Sequence, residues 1–385
     1  MSREFLMPRY IFTGEDALSG AADVLKKSGK KTLVISGTVT SKSDEFKSCI
    51  NLLNSLGIET AVFTDIASEP TDVTVNAGLA AYKENNCDSL LAMGGGSALD
   101  TMKAVAAMSV FGGEIADLMG KQVTAELPFM TAIPTTAGTG SEATKFTVIT
   151  DTKTGVKMLL AGASLLPDCA IVDPLYTITA PKGITAATGL DALTHSIESY
   201  TSKKAQPLTD TFAMSAVKRI FKYLPEAYKD GTNVKARTEM SYAAFEAGVA
   251  INNASVTLVH GMSRPIGALF HVPHGISNAM LLQKCLSFAL DGAYERFAEL
   301  SRAIGAATAD TSDKQAAEKL IEKIGELCAI CEVPTLQGYG IDREKYYASI
   351  DKMSADAIAS GSPANTIKPV SVENVKEIYK TLYPY

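Results

Sequence analysis

The strongest constraint on what this chain can fold into is a regular alternation along its first half. Short apolar runs, partly β-branched, recur at Lys31–Ser36, Thr60–Thr64, Ser89–Gly94, Phe129–Pro134 and Cys169–Pro174. Between them, residues 44–57, 71–86 and 97–110 carry apolar side chains three and four apart, the period of a helix with one buried face. Strand and helix in strict turn predict a parallel sheet covered by helices, with ligands gathering beyond the carboxyl ends of the strands. After the turn-rich segment Thr177–Gly183 the pattern changes. Residues 208–224, 234–254, 294–307 and 313–330 all have helical periodicity and no strand pattern follows. A chain of 385 residues exceeds the roughly 250–300 residues at which single cores stop growing. Two domains are therefore expected: an α/β domain over residues 1–180 and an all-α domain over 181–385.

Composition narrows the partners. The chain has 36 basic and 42 acidic residues, a formal charge of −6, with no basic run of the kind that holds nucleic acid. No stretch approaches the 18 or so apolar residues of a membrane span, and the first thirty residues lack the apolar core of a signal peptide. The expectation is a soluble, cytoplasmic protein that acts on a small molecule. Six cysteines spread over this length do not form a secreted disulfide framework. Cys328 and Cys331 make a C-x-x-C pair, but they lie in an amphipathic stretch and are read as buried helix cysteines.

Two loops look built for phosphate. After the run ending at Gly94 come Gly95 and Gly96, and Ser97 opens a helix. Glycine permits close approach of a ligand and positive φ, and free N–H groups at a helix start attract anions. Residues Ile133–Thr144 repeat the idea, with Thr135, Thr136, Thr139 and Ser141 as short hydroxyls and Gly138 and Gly140 between them. Two such loops after two strands suggest a dinucleotide, although the G-x-G-x-x-G fingerprint is absent.

All four histidines, His195, His260, His271 and His274, fall between positions 195 and 274. Asp191 stands one helical turn before His195, so both can face one ion. His260 and His274 lie fourteen apart in a segment interrupted by Gly261, Pro265, Gly267, Pro273 and Gly275. Asp191, His195, His260 and His274 would suit Fe²⁺, Zn²⁺ or Mn²⁺, whereas Ca²⁺ and Mg²⁺ prefer oxygen.

Together the segments MPRYIFTGEDAL, GGGSALDTMKA, IPTTAGTGSEAT, LLPDCAIVDP, TGLDALTHSIESY and HVPHGISNAMLL resemble the iron-dependent alcohol dehydrogenase family along nearly the whole chain. The resemblance implies a Rossmann-like nucleotide-binding domain and a helical domain, with Fe²⁺ held in a cleft by Asp191, His195, His260 and His274. It implies NAD(P) as the hydride carrier, a short aldehyde or primary alcohol as substrate, and a homodimer. Gly94, Gly95, Gly96 and Ser97 would cradle the pyrophosphate. Asp100, Thr135, Thr136, Thr139 and Lys157 would lie near the nicotinamide half. Zinc could replace iron, since it competes well at nitrogen and oxygen sites.

Two positions depart from the family pattern. Many relatives have a histidine four residues after the third ligand, where this chain has Arg264, which cannot serve as a base. A proton relay would then pass through His271, a cofactor ribose hydroxyl or water. Arg264 could instead favour a semialdehyde with a carboxylate, sulfonate or phosphonate tail. Relatives that prefer NAD tend to carry an aspartate just after the first strand; Gly37 stands at the matching position. With Thr38, Ser41 and Lys42 nearby, NADP is expected to be tolerated or preferred. The alternatives are a dehydroquinate synthase-like lyase and a non-enzymatic scaffold.

Overall fold

The structure is a computed structural model and describes residues 2–66 and 69–383. The chain divides into two compact units, Leu6–Ala180 and a second made of Met1–Phe5 with Pro181–Tyr385. Residues 2–5, expected in the amino-terminal domain, thus belong with the carboxy-terminal unit. Side-chain anchors explain the difference: the Arg3 guanidinium donates to the carbonyl of Ala205, the Phe5 ring stacks on Phe212 at 6.0 Å, and the Gln206 amide donates to the carbonyl of Glu4.

In the first unit, strand β1 (Tyr10–Thr13) leads into two short helices, α1 (Ala17–Gly20) and α2 (Ala22–Leu25). Then β2 (Lys31–Ser36), α3 (Asp44–Ser55), β3 (Glu59–Phe63), α4 (Asp72–Glu84), β4 (Ser89–Gly94), α5 (Gly96–Phe111) and β5 (Phe129–Pro134) alternate as the periodicity requires. A hairpin of β6 (Phe146–Thr150) and β7 (Lys157–Ala161) precedes β8 (Cys169–Val172). The six-stranded sheet runs β1-β8-β5-β4-β2-β3, every neighbouring pair parallel. Strand order reverses between β2 and β4, which is where such sheets bind ligands.

Alternate side chains of the central strands feed two cores. Leu33, Ile35, Leu90 and Ala92 pack with Val75, Leu99, Met102 and Val105 on one face. Val34, Leu91 and Met93 pack with Phe46, Cys49 and Leu53 on the other. Burial on both faces is the reason β4 reads as an uninterrupted apolar run rather than an alternating one. The helices start where short polar side chains can cap them. Ser43 Oγ accepts the N–H of Phe46 and Thr71 Oγ1 that of Thr74, both at 3.1 Å.

The second unit is helical: α6 (Lys182–Tyr200), α7 (Pro207–Lys229), α8 (Val234–Ala254), α9 (Leu258–Phe270), α10 (His274–Ala289), α11 (Tyr294–Ala303), α12 (Asp313–Ile330), α13 (Arg343–Ala359) and α14 (Val372–Leu382). Helix α6 is buried nearly all round from Thr185 to Tyr200 and packs against α7, α8 and α10. A helix buried on every side belongs at the centre of its domain. Among the described residues, no strand occurs after Ala180 and no helix is long and apolar enough to cross a membrane. Cys328 is half-buried in α12 and Cys331 is buried just after it; burial pushes both thiols up to about 12.

Candidate metal centre and nucleotide cradle

Three helices of the second unit bring the ligand set together. Asp191 and His195 lie one turn apart on α6, His260 is in the first turn of α9, and His274 is the first residue of α10. Ligand atoms of Asp191, His195 and His260 fall within 4.8 Å of one another, and these residues are only 3%, 5% and 3% exposed. From one Asp191 oxygen, Oδ1, the Nε2 atoms of His195, His260 and His274 stand at 3.7, 3.6 and 3.7 Å. Two donors bound to one tetrahedral ion at about 2.0–2.2 Å are themselves roughly 3.3–3.6 Å apart, so these spacings suit a shared ion. The His195 and His260 rings stack at 4.7 Å, and His260 meets His274 at 5.2 Å.

Backbone approach sets the position of His274. A Cβ added to Gly275 would lie 2.2 Å from the carbonyl oxygen of Ala187, so only glycine lets the start of α10 press against α6.

Electrostatics and hydrogen bonding agree with a cation site. Burial acts to raise the Asp191 carboxyl, but His195, His274 and His260 around it hold it well below the usual range. Desolvation holds His274 down, to about 3, with His260, His195 and Arg264 adding to the effect, although 42% of its side chain is exposed. It is the Nε2 edge that turns inward. The Asn278 amide nitrogen fills the space between the ligands, 2.7 Å from Asp191 Oδ1, 3.1 Å from His260 Nε2 and 3.2 Å from His274 Nε2. Its amide oxygen is buried without a hydrogen-bond partner. Asp191 Oδ1 and the inward Nε2 atoms of His260 and His274 thus surround one amide nitrogen, whose two N–H groups cannot serve all three. A divalent ion satisfies that donor set.

Sequence reasoning missed two residues of this cluster. Glu198 extends the Asp191–His195 face of α6 by one turn and is fully buried, and Asn278 follows His274 by one turn of α10. The signal was present as D-x3-H-x2-E and H-x3-N, since residues three or four apart share a helix face.

His271 and Arg264 have different surroundings. His271 is exposed, caps α9 with φ 54°, and takes no part in the ring contacts that link His195, His260 and His274. Arg264 donates from Nη1 to Ser362 Oγ at 2.8 Å, and among the described residues no carboxylate lies within ion-pair distance of it.

In the first unit, the two glycine and hydroxyl loops meet. Thr135 donates its N–H to the carbonyl of Gly94, and a Cβ at Gly95 or Gly96 would come within 3.6 Å of Thr136 or 3.0 Å of Thr139. Positive φ, expected as one reason for the glycines, is found at none of Gly94, Gly95 and Gly96. Closeness explains them instead: a Cβ at Gly94 would strike that of Ala98 at 2.8 Å. Ser97, Thr135, Thr136 and Thr139 stay partly open at the start of α5 and the end of β5. Asp100 is committed to the scaffold: its carboxylate accepts from Ser141 Oγ at 2.7 Å and from the N–H of Val148 at 2.9 Å. Lys157 pairs with Glu69 at 2.7 Å. Gly37 follows β2 directly, and among the described residues a Cβ there would meet the Ile66 carbonyl alone, at 3.7 Å.

Family comparisons cover both units. The model of the iron-containing alcohol dehydrogenase matches residues 8–174, and that of the carboxy-terminal part of the Fe-containing alcohol dehydrogenase family matches residues 185–383. The chain is 34% identical over 381 residues to an NAD-dependent methanol dehydrogenase of Bacillus methanolicus, covering 98% of each. A crystal structure of a 1,3-propanediol oxidoreductase superimposes with a TM-score of 0.96 at 33% identity over the whole of both chains. A sulfoacetaldehyde reductase from Bifidobacterium kashiwanohense, solved with NAD⁺, gives 0.88 at 29% identity over 99% of each. With both units matched at this coverage, the chain belongs to the iron-containing alcohol dehydrogenase family.

Proposed function

We propose that the protein is an iron-dependent alcohol dehydrogenase that moves a hydride between NAD(P)H and a short aldehyde or primary alcohol. The convergence of Asp191, His195, His260 and His274 on one point supports this reading above all else. These four would hold Fe²⁺, with Zn²⁺ as a substitute. A bound divalent ion supplies Lewis-acid chemistry at the substrate oxygen. Asp191 contributes the anionic charge of the set, and the three imidazoles contribute neutral nitrogen lone pairs.

Reduction consumes the aldehyde, one NAD(P)H and one proton, and yields the alcohol and NAD(P)⁺. The hydride goes to the carbonyl carbon and the proton to the oxygen. Because His271 is exposed at a helix cap, water or a cofactor ribose hydroxyl is the proton source favoured here. Gly94, Gly95, Gly96 and Ser97 are assigned to the pyrophosphate, on the strength of the free N–H groups at the start of α5. Thr135, Thr136 and Thr139 offer the adjoining hydroxyls. Asp100 and Lys157 are assigned to shaping the site, since both have protein partners. NADP is tolerated or preferred in this reading, because Gly37 puts no carboxylate after β2. A homodimer in the cytoplasm completes the proposal.

Protein purified anaerobically and reconstituted with Fe²⁺ should reduce a panel of short aldehydes with NADH or NADPH, one cofactor per aldehyde. Product formed without net cofactor turnover would replace the dehydrogenase by a lyase, and a metal-free protein without activity would point to a scaffold.

A second reading rests on Arg264, a guanidinium with a neutral hydroxyl as its hydrogen-bond partner, and on the likeness to a sulfoacetaldehyde reductase. An anionic semialdehyde would provide the missing carboxylate or sulfonate. Succinic semialdehyde and butyraldehyde should be compared in wild type and Arg264→Ala. Selective loss of the anionic substrate supports this reading, and equal loss of both removes it.

A further inference from the structure

Glu198 has no exposed surface and accepts three hydrogen bonds. Its Oε1 takes the hydroxyl of Thr257 at 2.7 Å and the N–H of Val259 at 2.6 Å, and its Oε2 lies 2.5 Å from Nδ1 of His260. A carboxylate can only accept, so Nδ1 of His260 must carry a proton. On the other side of the ring, Nε2 is 3.1 Å from the Asn278 amide nitrogen, which can only donate. The Glu198 contact therefore requires the Nδ1–H tautomer with a free pair on Nε2, and an amide nitrogen facing Nε2 agrees with it. That free pair is the one 3.6 Å from Asp191 Oδ1, inside the ligand cluster.

We propose that Glu198 is a positioning residue of the metal centre: it holds His260 in the one tautomer and ring orientation that can bind the ion. The proposal rests on the metal-centre reading above. Its reach extends beyond one ring. Thr257 is the N-cap residue of α9 and Val259 lies in that helix's first turn, so the same carboxylate fastens α9, with its ligand, to α6, with Asp191 and His195. Anchoring of this kind through the outer nitrogen of a ligating histidine is worth about 10–100-fold in metal affinity.

Glu198→Gln keeps the size but breaks the pattern. With its amide oxygen kept toward Thr257 and Val259, the new NH₂ faces Nδ1 and drives the ring to the Nε2–H tautomer, which cannot ligate. Turned the other way, the NH₂ faces two donors. Zn²⁺ affinity, measured by competition with a chromophoric chelator, should fall about 10–100-fold in Glu198→Gln, and the Co²⁺-loaded variant should show an altered d–d spectrum. Unchanged affinity and spectrum would overturn the proposal. The tautomer is read directly from ¹⁵N-histidine NMR of the metal-free wild type at alkaline pH, where four histidines make assignment by single substitution practical. A pyrrole-like Nδ1 and a pyridine-like Nε2 at His260 are expected, and the reverse pattern overturns the proposal even if Glu198→Gln does not fold. A wild type that binds no Zn²⁺ would sink the metal-centre reading, while the NMR result would still decide what Glu198 does to the ring.

Discussion

Gly37 makes the cofactor question testable at a single residue. Its backbone is in no special conformation and, among the described residues, an added Cβ meets one atom, at 3.7 Å, so Gly37→Asp should fold without strain. The new carboxylate would repel a 2′-phosphate. We expect kcat/KM for NADPH to drop at least tenfold, about 1.4 kcal/mol, with that for NADH unchanged or improved. Equal effects on both would mean that Gly37 does not face the adenosine ribose. His271 is a contrasting case. General acid–base side chains contribute about 10²–10⁴-fold, yet this ring is an exposed helix cap. His271→Ala should retain turnover within about threefold at neutral pH; a hundredfold loss would reinstate it as the proton relay. Why sequence could nominate His271 but not Glu198 is physical. A lone histidine near ligands attracts attention by type, whereas a buried glutamate differs from a solvated one only through what surrounds it.

At the scale of elements, periodicity located β2, β4, β5, α8 and α12 to the residue, because long, strongly patterned segments carry their own signal. It passed over β1 and the hairpin β6–β7. The first has four residues at the sheet edge, and the hairpin strands have five each with alternating burial. Segments that short have too few repeats of their period to stand out, and pairing partners far along the chain decide them. The start of α10 shows an element placed by one glycine. Gly275→Ala would drive a methyl into the backbone of α6, so α10 must shift and take His274 with it. We expect at least tenfold weaker Zn²⁺ binding in Gly275→Ala, with circular dichroism still that of a folded protein. Wild-type affinity would show that the helix pair can give way without disturbing the centre.

Across the whole molecule, stability should register a buried cluster of charged and polar groups around Lys103. Lys103 has no exposed surface and donates to Ser141 Oγ, Thr144 Oγ1 and the carbonyls of Thr144 and Phe146. Glu142 is buried nearby, and desolvation raises its carboxyl to about 7. A folded-state value above the unfolded one means that the folded protein keeps a proton the unfolded chain has released. Wild-type stability is therefore unaffected by this group below about pH 4.5, declines as pH rises toward 7, and carries the full cost above it, on the order of 3 kcal/mol for a rise from 4.5 to about 7. In urea unfolding, the advantage of Glu142→Gln over wild type should grow between pH 4.5 and 7 and then level off. A difference independent of pH would show that Glu142 is ionised throughout.

The sequence by itself determined the alternation of strand and helix, the change to an all-helical second half, the glycine turn after β4 and the identity of the four candidate ligands. These follow from local periodicity and residue type, which a linear reading contains. Only the tertiary structure decided which imidazole nitrogens face inward, that Asn278 stands among them, that Glu198 holds His260, and that Asp100 is taken up by Ser141 and Val148. Each depends on side chains from separate helices or strands meeting within a few ångströms, and packing, not spacing along the chain, sets those distances.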